Sequence, residues 1–139
     1  MQVELTNLSG IEHMSKLEIL IITHHKIATV RELRDLTRLK SVYLFNNYIT
    51  SLEGIESLTN LEQLYVHCNK ISSIEPVGQL LNLQELYVND NCLSSLEGLT
   101  DQHSEKLLKF ACLPNEQLKQ KEIIRAEREL GIICRRGGA

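Results

Sequence analysis

One arrangement of apolar residues and asparagine recurs every 22 residues along this chain, and this period limits the possible folds more than any other feature. In one-letter code the template is L-x-x-L-x-L-x-x-N-x-I-x-x-L-x-x-L-x-x-L, and copies start at Leu17, Leu39, Leu61 and Leu83. Self-similarity at a period of this length predicts a solenoid, in which each repeat covers the apolar side of its neighbour.

The copies at the two ends are less regular than those in the middle. The first full copy has His25 in the place of the asparagine, and a half copy comes before it. A decayed last copy keeps Leu108 and Phe110 in apolar places and has Leu113 in the place of the asparagine. We therefore expect the repeats to cover residues 1–113.

The first part of the template predicts a short β-strand, because L-x-x-L-x-L places alternate residues on opposite faces and turns the aliphatic ones inward. The asparagine follows the strand, where its amide can bond backbone groups that would otherwise be buried without partners. The spacing of three in the second part predicts 3-10 or short helical turns. The predicted fold is an α/β solenoid shaped as a right-handed horseshoe, with a parallel sheet on its concave side.

The period, the asparagines and the phrase N-L-E-Q-L-Y-V-H-C-N-K-I-S-S-I-E resemble the 22-residue class of leucine-rich-repeat proteins. This class is typified by the nuclear regulatory subunit of protein phosphatase type 1, and it includes phosphatase regulators, axonemal proteins and a spliceosomal protein. The resemblance covers roughly residues 5–113. It implies a leucine-rich-repeat solenoid that binds a phosphatase catalytic subunit or a cytoskeletal or ciliary protein.

The residues after the repeats predict a cap for the end of the stack. Pro114 and Asn115 suit the start of a helix, and Gly131 suits its end. We expect a helix over 114–131 that covers the last repeat, or, as the alternative, one that is offered to a partner. The residues 132–139 are expected to form a flexible tail.

Function is expected on the outward face of the sheet, where the third, fifth and seventh residues of each template copy alternate with the buried ones. Three of the 4 tyrosines fall in the fifth place. Tyrosine combines apolar area with a polar end and is enriched at interfaces. The predicted anchors for a partner protein are Tyr43, Phe45, Tyr65, His67 and Tyr87, with Asn89 as a further contact. The alternative is that the rings only stabilise the sheet by stacking.

The same alternation predicts which side chains lie at the two ends of this outward face. A fixed spacing through the last copy places Leu107, Lys109 and Ala111 outward, and the first strand places Ile19 and Ile21 outward. The isoleucines and Leu107 would add exposed apolar area at both ends of the tyrosine row. A large exposed apolar patch usually marks an interface.

Charge gives a weaker indication about partners. Glu85 and Asp90 are predicted to form an acidic edge that would suit a basic partner surface, with ordinary solvated carboxylates as the alternative. The formal net charge of -3 gives no reason to expect nucleic acid or a membrane surface as a partner. No apolar run reaches the roughly 20 residues that are needed to cross a bilayer.

No motif in the sequence predicts a reaction. The 4 cysteines form no C-x-x-C pair, which favours a reduced, cytoplasmic setting, with a nuclear or ciliary setting as alternatives. No Ser–His–Asp order, glycine-rich phosphate loop or pair of carboxylates can be placed. We predict a protein-binding module without enzyme activity, cofactor, metal or small-molecule substrate. The alternative is a structural subunit of a ribonucleoprotein complex.

The chain begins in the middle of a repeat, so the first strand is expected at an open edge of the sheet, where it invites pairing. Three arrangements are compatible with this start. The segment Met1–Met14 folds over the edge, two chains meet there as a homodimer, or a longer parent protein supplies earlier repeats.

Overall fold

The computed structural model describes residues 3–138. Their strands form one sheet, in which each strand pairs in parallel with the next one along the chain. The strands are β1 (Ile19–Ile21), β2 (Ser41–Tyr43), β3 (Gln63–Tyr65), β4 (Glu85–Tyr87), β5 (Lys109–Leu113) and β6 (Arg135–Arg136). The predicted solenoid with a parallel sheet is confirmed.

Parallel strands cannot be joined by tight turns, and short 3-10 segments lie in the crossovers between β1 and β5. They are Arg31–Leu33, Ile55–Ser57, Glu75–Gln79 and Asp101–His103, and a further 3-10 segment, Ile11–His13, precedes β1. The apolar template residues of strands and crossovers meet in one core. In the third full repeat, Leu64, Ile71, Val77 and Leu80 are at most 1% exposed, and burial of each such side chain is worth about 1.5–3 kcal/mol.

The asparagines after the strands form a ladder of buried hydrogen bonds. The Nδ2 of Asn69 donates to the carbonyl oxygen of Val66 in its own repeat (3.0 Å) and to that of Leu44 in the preceding repeat (3.1 Å). Its Oδ1 accepts from the backbone N–H of Ile49 at 2.9 Å. Equivalent bonds are made by Asn47, Asn91 and Asn115.

The last repeat differs from the prediction in its register. Strand β5 places Lys109, not Leu107, beside Glu85, so the crossover before β5 is two residues longer than the others. Leu107 is consequently buried at 4% exposure, contrary to its expected outward position. The ladder position of this repeat is occupied by Asn115 and not by Leu113. The Oδ1 of Asn115 accepts a hydrogen bond from the backbone N–H of Leu93 at 3.0 Å.

The helix at the end of the stack is shorter than the predicted 114–131. Helix α1 runs over Gln120–Arg125 and continues as a π-helical turn over Ala126–Leu130. It ends at Gly131, where φ is 72°, as the sequence indicates. The helix begins late because Asn115 is held in the asparagine ladder, which keeps the first residues of the predicted segment within the repeat.

The segment that follows the helix, where a flexible tail is expected over 132–139, packs on the last repeat as far as residue 138, and residue 139 lies outside the described residues. Ile132 is 1% exposed in the core. Arg135–Arg136 pair with β5 as strand β6, and the N–H of Gly137 donates to the carbonyl oxygen of Leu113 at 2.7 Å. Apolar burial and backbone hydrogen bonds thus hold this segment on the last repeat.

The half copy at the start packs on the first full repeat. Leu8 is 3% exposed, and the Nδ1 of His25 accepts from the N–H of Leu5 at 3.0 Å, in the place of a ladder asparagine. Strand β1 pairs only with β2 within residues 3–138, so its outer edge has no strand beside it there. None of the helices in this part of the chain combines the length and the apolar character that a membrane span requires.

Candidate functional site

The outward side chains of β2, β3 and β4 form a row of three tyrosines. The strand register places Tyr43 beside Tyr65, and Tyr65 beside Tyr87. The first two ring centres are 4.9 Å apart, with planes tilted by 50°. The rings of Tyr65 and Tyr87 are stacked at 4.2 Å, with planes 8° from parallel. All three rings are half-buried, so part of each one faces solvent.

A second aromatic row runs beside the first. The Phe45 and His67 rings are stacked at 4.5 Å with planes 12° from parallel. The His67 ring lies 5.9 Å from that of Tyr87 and 6.1 Å from that of Tyr65, so the two rows are in contact. We call this surface the aromatic band; it consists of Tyr43, Phe45, Tyr65, His67 and Tyr87.

A hydrogen bond links the centre of the band to the next strand. The Tyr65 hydroxyl donates to the carboxylate of Glu85, which is half-buried. Burial raises the pKa of Tyr65, and the hydrogen bond and negative charge of Glu85 raise it further. Tyr65 is therefore a neutral donor at physiological pH, and the Glu85 carboxylate is already engaged.

His67 lies half-buried between Phe45 and Tyr87. Burial lowers the pKa of His67, while the charge of Asp90 acts in the opposite direction. Its buried Nδ1 has no hydrogen-bond partner among the described residues. The band therefore contains a neutral imidazole at pH 7, which favours stacking with its aromatic neighbours over ion pairing.

Asn89 does not lie open on the outward face as predicted. It is 3% exposed, and its Nδ2 donates to the carboxylate of Asp90 at 2.8 Å. The backbone of Gly137 covers it so closely that a β-carbon there would be 2.1 Å from Nδ2. Asn89 is therefore not available to a partner in this structure, whereas Asp90 is exposed at the rim.

The apolar ends of the face differ from each other. Ile19 and Ile21 are 58% and 64% exposed beside the aromatic band, as expected. At the other end, the changed register buries Leu107 and turns Leu108 outward at 68% exposure, while Ala111 is only 3% exposed. The exposed aliphatic area on the sheet itself thus lies at the β1 end.

Three cations that were not predicted as part of the site lie at the opposite end, which we call the basic end. Lys109 of β5 and Arg135 and Arg136 of β6 are exposed and, with Tyr87, line a shallow cavity of about 140 Å³. No described carboxylate lines it. The phrase L-L-K-F-A-C-L-P-N, which starts at Leu107 and fits the template, could have placed Lys109. No sequence period indicates the position of the two arginines.

The chemistry of the face is that of recognition. Stacked rings offer apolar area with hydrogen-bonding groups at their edges, and cations adjoin one end. Within residues 3–138, no group of three or more His, Cys, Asp or Glu side chains is placed to hold a metal ion. All four cysteines are free thiols.

Known proteins share this architecture. A family model of leucine-rich repeats, in two copies, matches residues 37–79. A leucine-rich-repeat protein of Leptospira interrogans is 28% identical, with a TM-score of 0.85 over 97% of this chain and 35% of that one. Internalin C2 of Listeria monocytogenes is 26% identical, with a TM-score of 0.81 over 91% of this chain and 56% of that one.

A second Listeria monocytogenes internalin, InlF, is 24% identical, with a TM-score of 0.82 over 98% of this chain and 39% of that one. This chain thus spans between 35% and 56% of the length of these three proteins. The comparison with curated proteins gave no match. Leucine-rich-repeat proteins generally act as non-enzymatic interaction scaffolds. Residues 37–79 match the leucine-rich-repeat family model, and the described chain has the fold of a leucine-rich-repeat solenoid.

Proposed function

We propose that this chain is a protein–protein interaction module that holds a partner protein on the aromatic band. One observation supports the proposal above all: five rings lie in contact in two rows on the outward sheet face and are only half-buried there. Aromatic side chains supply a large contact area at a low entropic cost, since few torsions are fixed on binding. Exposed Ile19 and Ile21 extend the apolar surface at the β1 end.

The resemblance to the phosphatase-regulator class suggests the kind of partner. We propose that the partner is a phosphatase catalytic subunit or a cytoskeletal or ciliary protein, and that the chain binds it in the cytoplasm. Phosphatase activity in material that co-purifies with the chain would support the first partner. Imaging of a fluorescently tagged chain checks the location, and a tagged chain found outside the cell would contradict it.

The test of the proposed surface is affinity capture with variants that remove one ring. The baits are the wild type, Tyr65→Ala, Tyr87→Ala and the control Tyr48→Ala, which removes a tyrosine that is 50% exposed outside the band. We expect the captured partner to be lost with the first two variants and kept with the control. Loss of a central aromatic anchor costs about 2 kcal/mol or more, which is a factor of about 30 in Kd.

Calorimetry with the purified partner then measures that factor, and circular dichroism verifies that each variant is folded. Full affinity in folded Tyr65→Ala and Tyr87→Ala would mean that the rings serve only to stabilise the sheet, and the proposal would be wrong. Equal losses in all three variants would also contradict it, because Tyr48 lies outside the band.

A second association is proposed for the edge of β1. Within residues 3–138 no strand pairs with β1 on its outer side, and its residues Ile19 and Ile21 are exposed. An open edge with apolar flanks can pair with a second copy of the chain. Light scattering coupled to size exclusion should then detect dimers that Ile21→Lys removes; a monomer at high concentration would refute this.

A further inference from the structure

We infer that the partner presents an acidic segment, with Asp or Glu side chains, to the basic end of the sheet face. The inference rests on the proposed function, because it names the chemistry of the partner at one end of the aromatic band. Tyr87 belongs both to the band and to the cavity that Lys109, Arg135 and Arg136 line. A partner segment that follows the band therefore reaches the three cations without leaving the face.

The two arginines are held in place by the backbone. Their strand pairs with β5, and the N–H of Gly137 donates to the carbonyl oxygen of Leu113 at 2.7 Å on one side of them. Buried Ile132 fixes the chain on the other side. Because the main chain is already ordered, binding an anion requires little more than the ordering of the cationic side chains.

The two nearby carboxylates lie outside the cavity. Glu85 accepts a hydrogen bond from Tyr65 and Asp90 accepts one from Asn89, and both carboxylates keep their charge. Glu85 is the register partner of Lys109 and offsets part of its charge, so the two arginines carry the excess of positive charge at this end of the face. An acidic segment, rather than a basic one, complements this charge arrangement.

The whole chain has a formal net charge of -3, so an anionic segment gains nothing from the average field of the protein. Its attraction has to be local, and the basic end provides it. Guanidinium groups match carboxylates in geometry and can donate two parallel hydrogen bonds to one of them. The continuity of the cations with the proposed protein-binding band favours an acidic protein segment as the occupant.

The experiment uses a defined probe rather than the unidentified partner. A short fluorescein-labelled peptide of alternating Glu and Ser is titrated with the full chain, and fluorescence anisotropy reports binding at low ionic strength. Peptides with Gln or Lys in place of Glu are the ligand controls. The protein variants are Arg135→Gln/Arg136→Gln and Lys109→Gln, with Arg34→Gln/Arg38→Gln as the matched loss of two exposed charges elsewhere.

We expect the Glu peptide to bind at least about fivefold more tightly than the Gln and Lys peptides. The Arg135→Gln/Arg136→Gln variant should lose about fivefold or more, Lys109→Gln should lose less, and the Arg34→Gln/Arg38→Gln control should bind like the wild type. The preference should shrink at a salt concentration of about 0.15 M, where exposed charges are screened. Folding of every variant is verified by circular dichroism.

Equal binding of the Glu and Lys peptides, or full binding to the double arginine variant, would overturn the inference. Tighter binding of a single-stranded oligouridine that depends on the same arginines would also overturn it, because the cations would then serve nucleic acid. These failures are distinct from failure of the proposed function. The latter is decided by capture with Tyr65→Ala and Tyr87→Ala, which leave the three cations intact.

Discussion

At the scale of single residues, each ladder asparagine satisfies backbone groups of two repeats at once. Asn69→Ala would leave the N–H of Ile49 buried without a partner, whereas the carbonyl oxygen of Leu44 would keep the hydrogen bond from the Nδ2 of Asn47. A buried group left unsatisfied costs about 1–3 kcal/mol, so we predict a loss of about 2 kcal/mol in the free energy of unfolding, measured in urea. In the control Asn60→Ala, only an exposed bond to Thr37 is lost, and the cost should stay below about 1 kcal/mol. Similar costs in the two variants would contradict this role of the ladder.

His67 gives a prediction about pH at the same scale. Burial lowers the pKa of His67 below its ordinary value of 6.5. As the pH falls through 6.5, the unfolded chain therefore takes up the proton before the folded chain does. The stability that the neutral ring contributes is present above that pH and is lost as the pH falls below it.

Unfolding in urea from pH 7 to pH 5 should consequently show a smaller decline in stability for His67→Gln than for the wild type. The matched control is His13→Gln, whose side chain is 84% exposed and whose loss should leave the wild-type decline unchanged. Identical pH profiles for the wild type and His67→Gln would show that the band does not bury this imidazole enough to matter.

At the scale of elements, two neighbouring crossovers approach each other closely at Gly98. Its φ is 115°, and a β-carbon there would lie 2.6 Å from the carbonyl oxygen of Ile74 and 2.8 Å from the Cα of Glu75. Gly10 has a φ of 96° but no atom within 4 Å of the same position. A substitution at Gly10 therefore tests backbone strain alone, whereas a substitution at Gly98 adds steric overlap between the two crossovers.

We predict that Gly10→Ala costs about 1–2 kcal/mol, from the left-handed backbone alone. Gly98→Ala should cost about 3 kcal/mol or more, because it adds overlap that only a shift of the two crossovers can relieve. Thermal and urea unfolding of the two variants measure the difference. Equal costs would mean that the crossovers separate easily, against the close stacking that the structure shows.

The 22-residue period predicts the positions of strands only in the part of the chain where the period is unbroken. It places β1 to β4 and the five rings of the aromatic band, because strand alternation alone decides which side chains turn outward. Two extra residues before β5 break the period, and a fixed spacing then assigns Leu107 and Lys109 to the wrong places. The burial of Asn89 could not be predicted, because the residue that covers it, Gly137, lies far along the chain and no repeat pattern places it there.

At the scale of the whole molecule, the sheet face changes character from one end to the other. Exposed isoleucines lie at β1, stacked rings lie at the centre, and cations lie at β5 and β6. Because the strands follow one another in chain order, this gradient also runs along the sequence. A partner on this face would therefore be bound in one direction, with its apolar side towards β1 and its acidic side towards β6.

The stacked architecture also predicts that damage at one end of the molecule stays local, because each repeat contacts only its neighbours. Ile132 is 1% exposed and anchors β6, whereas the adjoining Ile133 is 62% exposed. Ile132→Ala should cost about 2–4 kcal/mol in the opening of the C-terminal end. Hydrogen exchange followed by mass spectrometry should then show faster exchange in β5 and β6, with β2 and β3 nearly unchanged. Ile133→Ala should exchange like the wild type throughout. Uniformly faster exchange across all strands of Ile132→Ala would mean instead that the solenoid opens as one cooperative unit, with its end as stable as its centre.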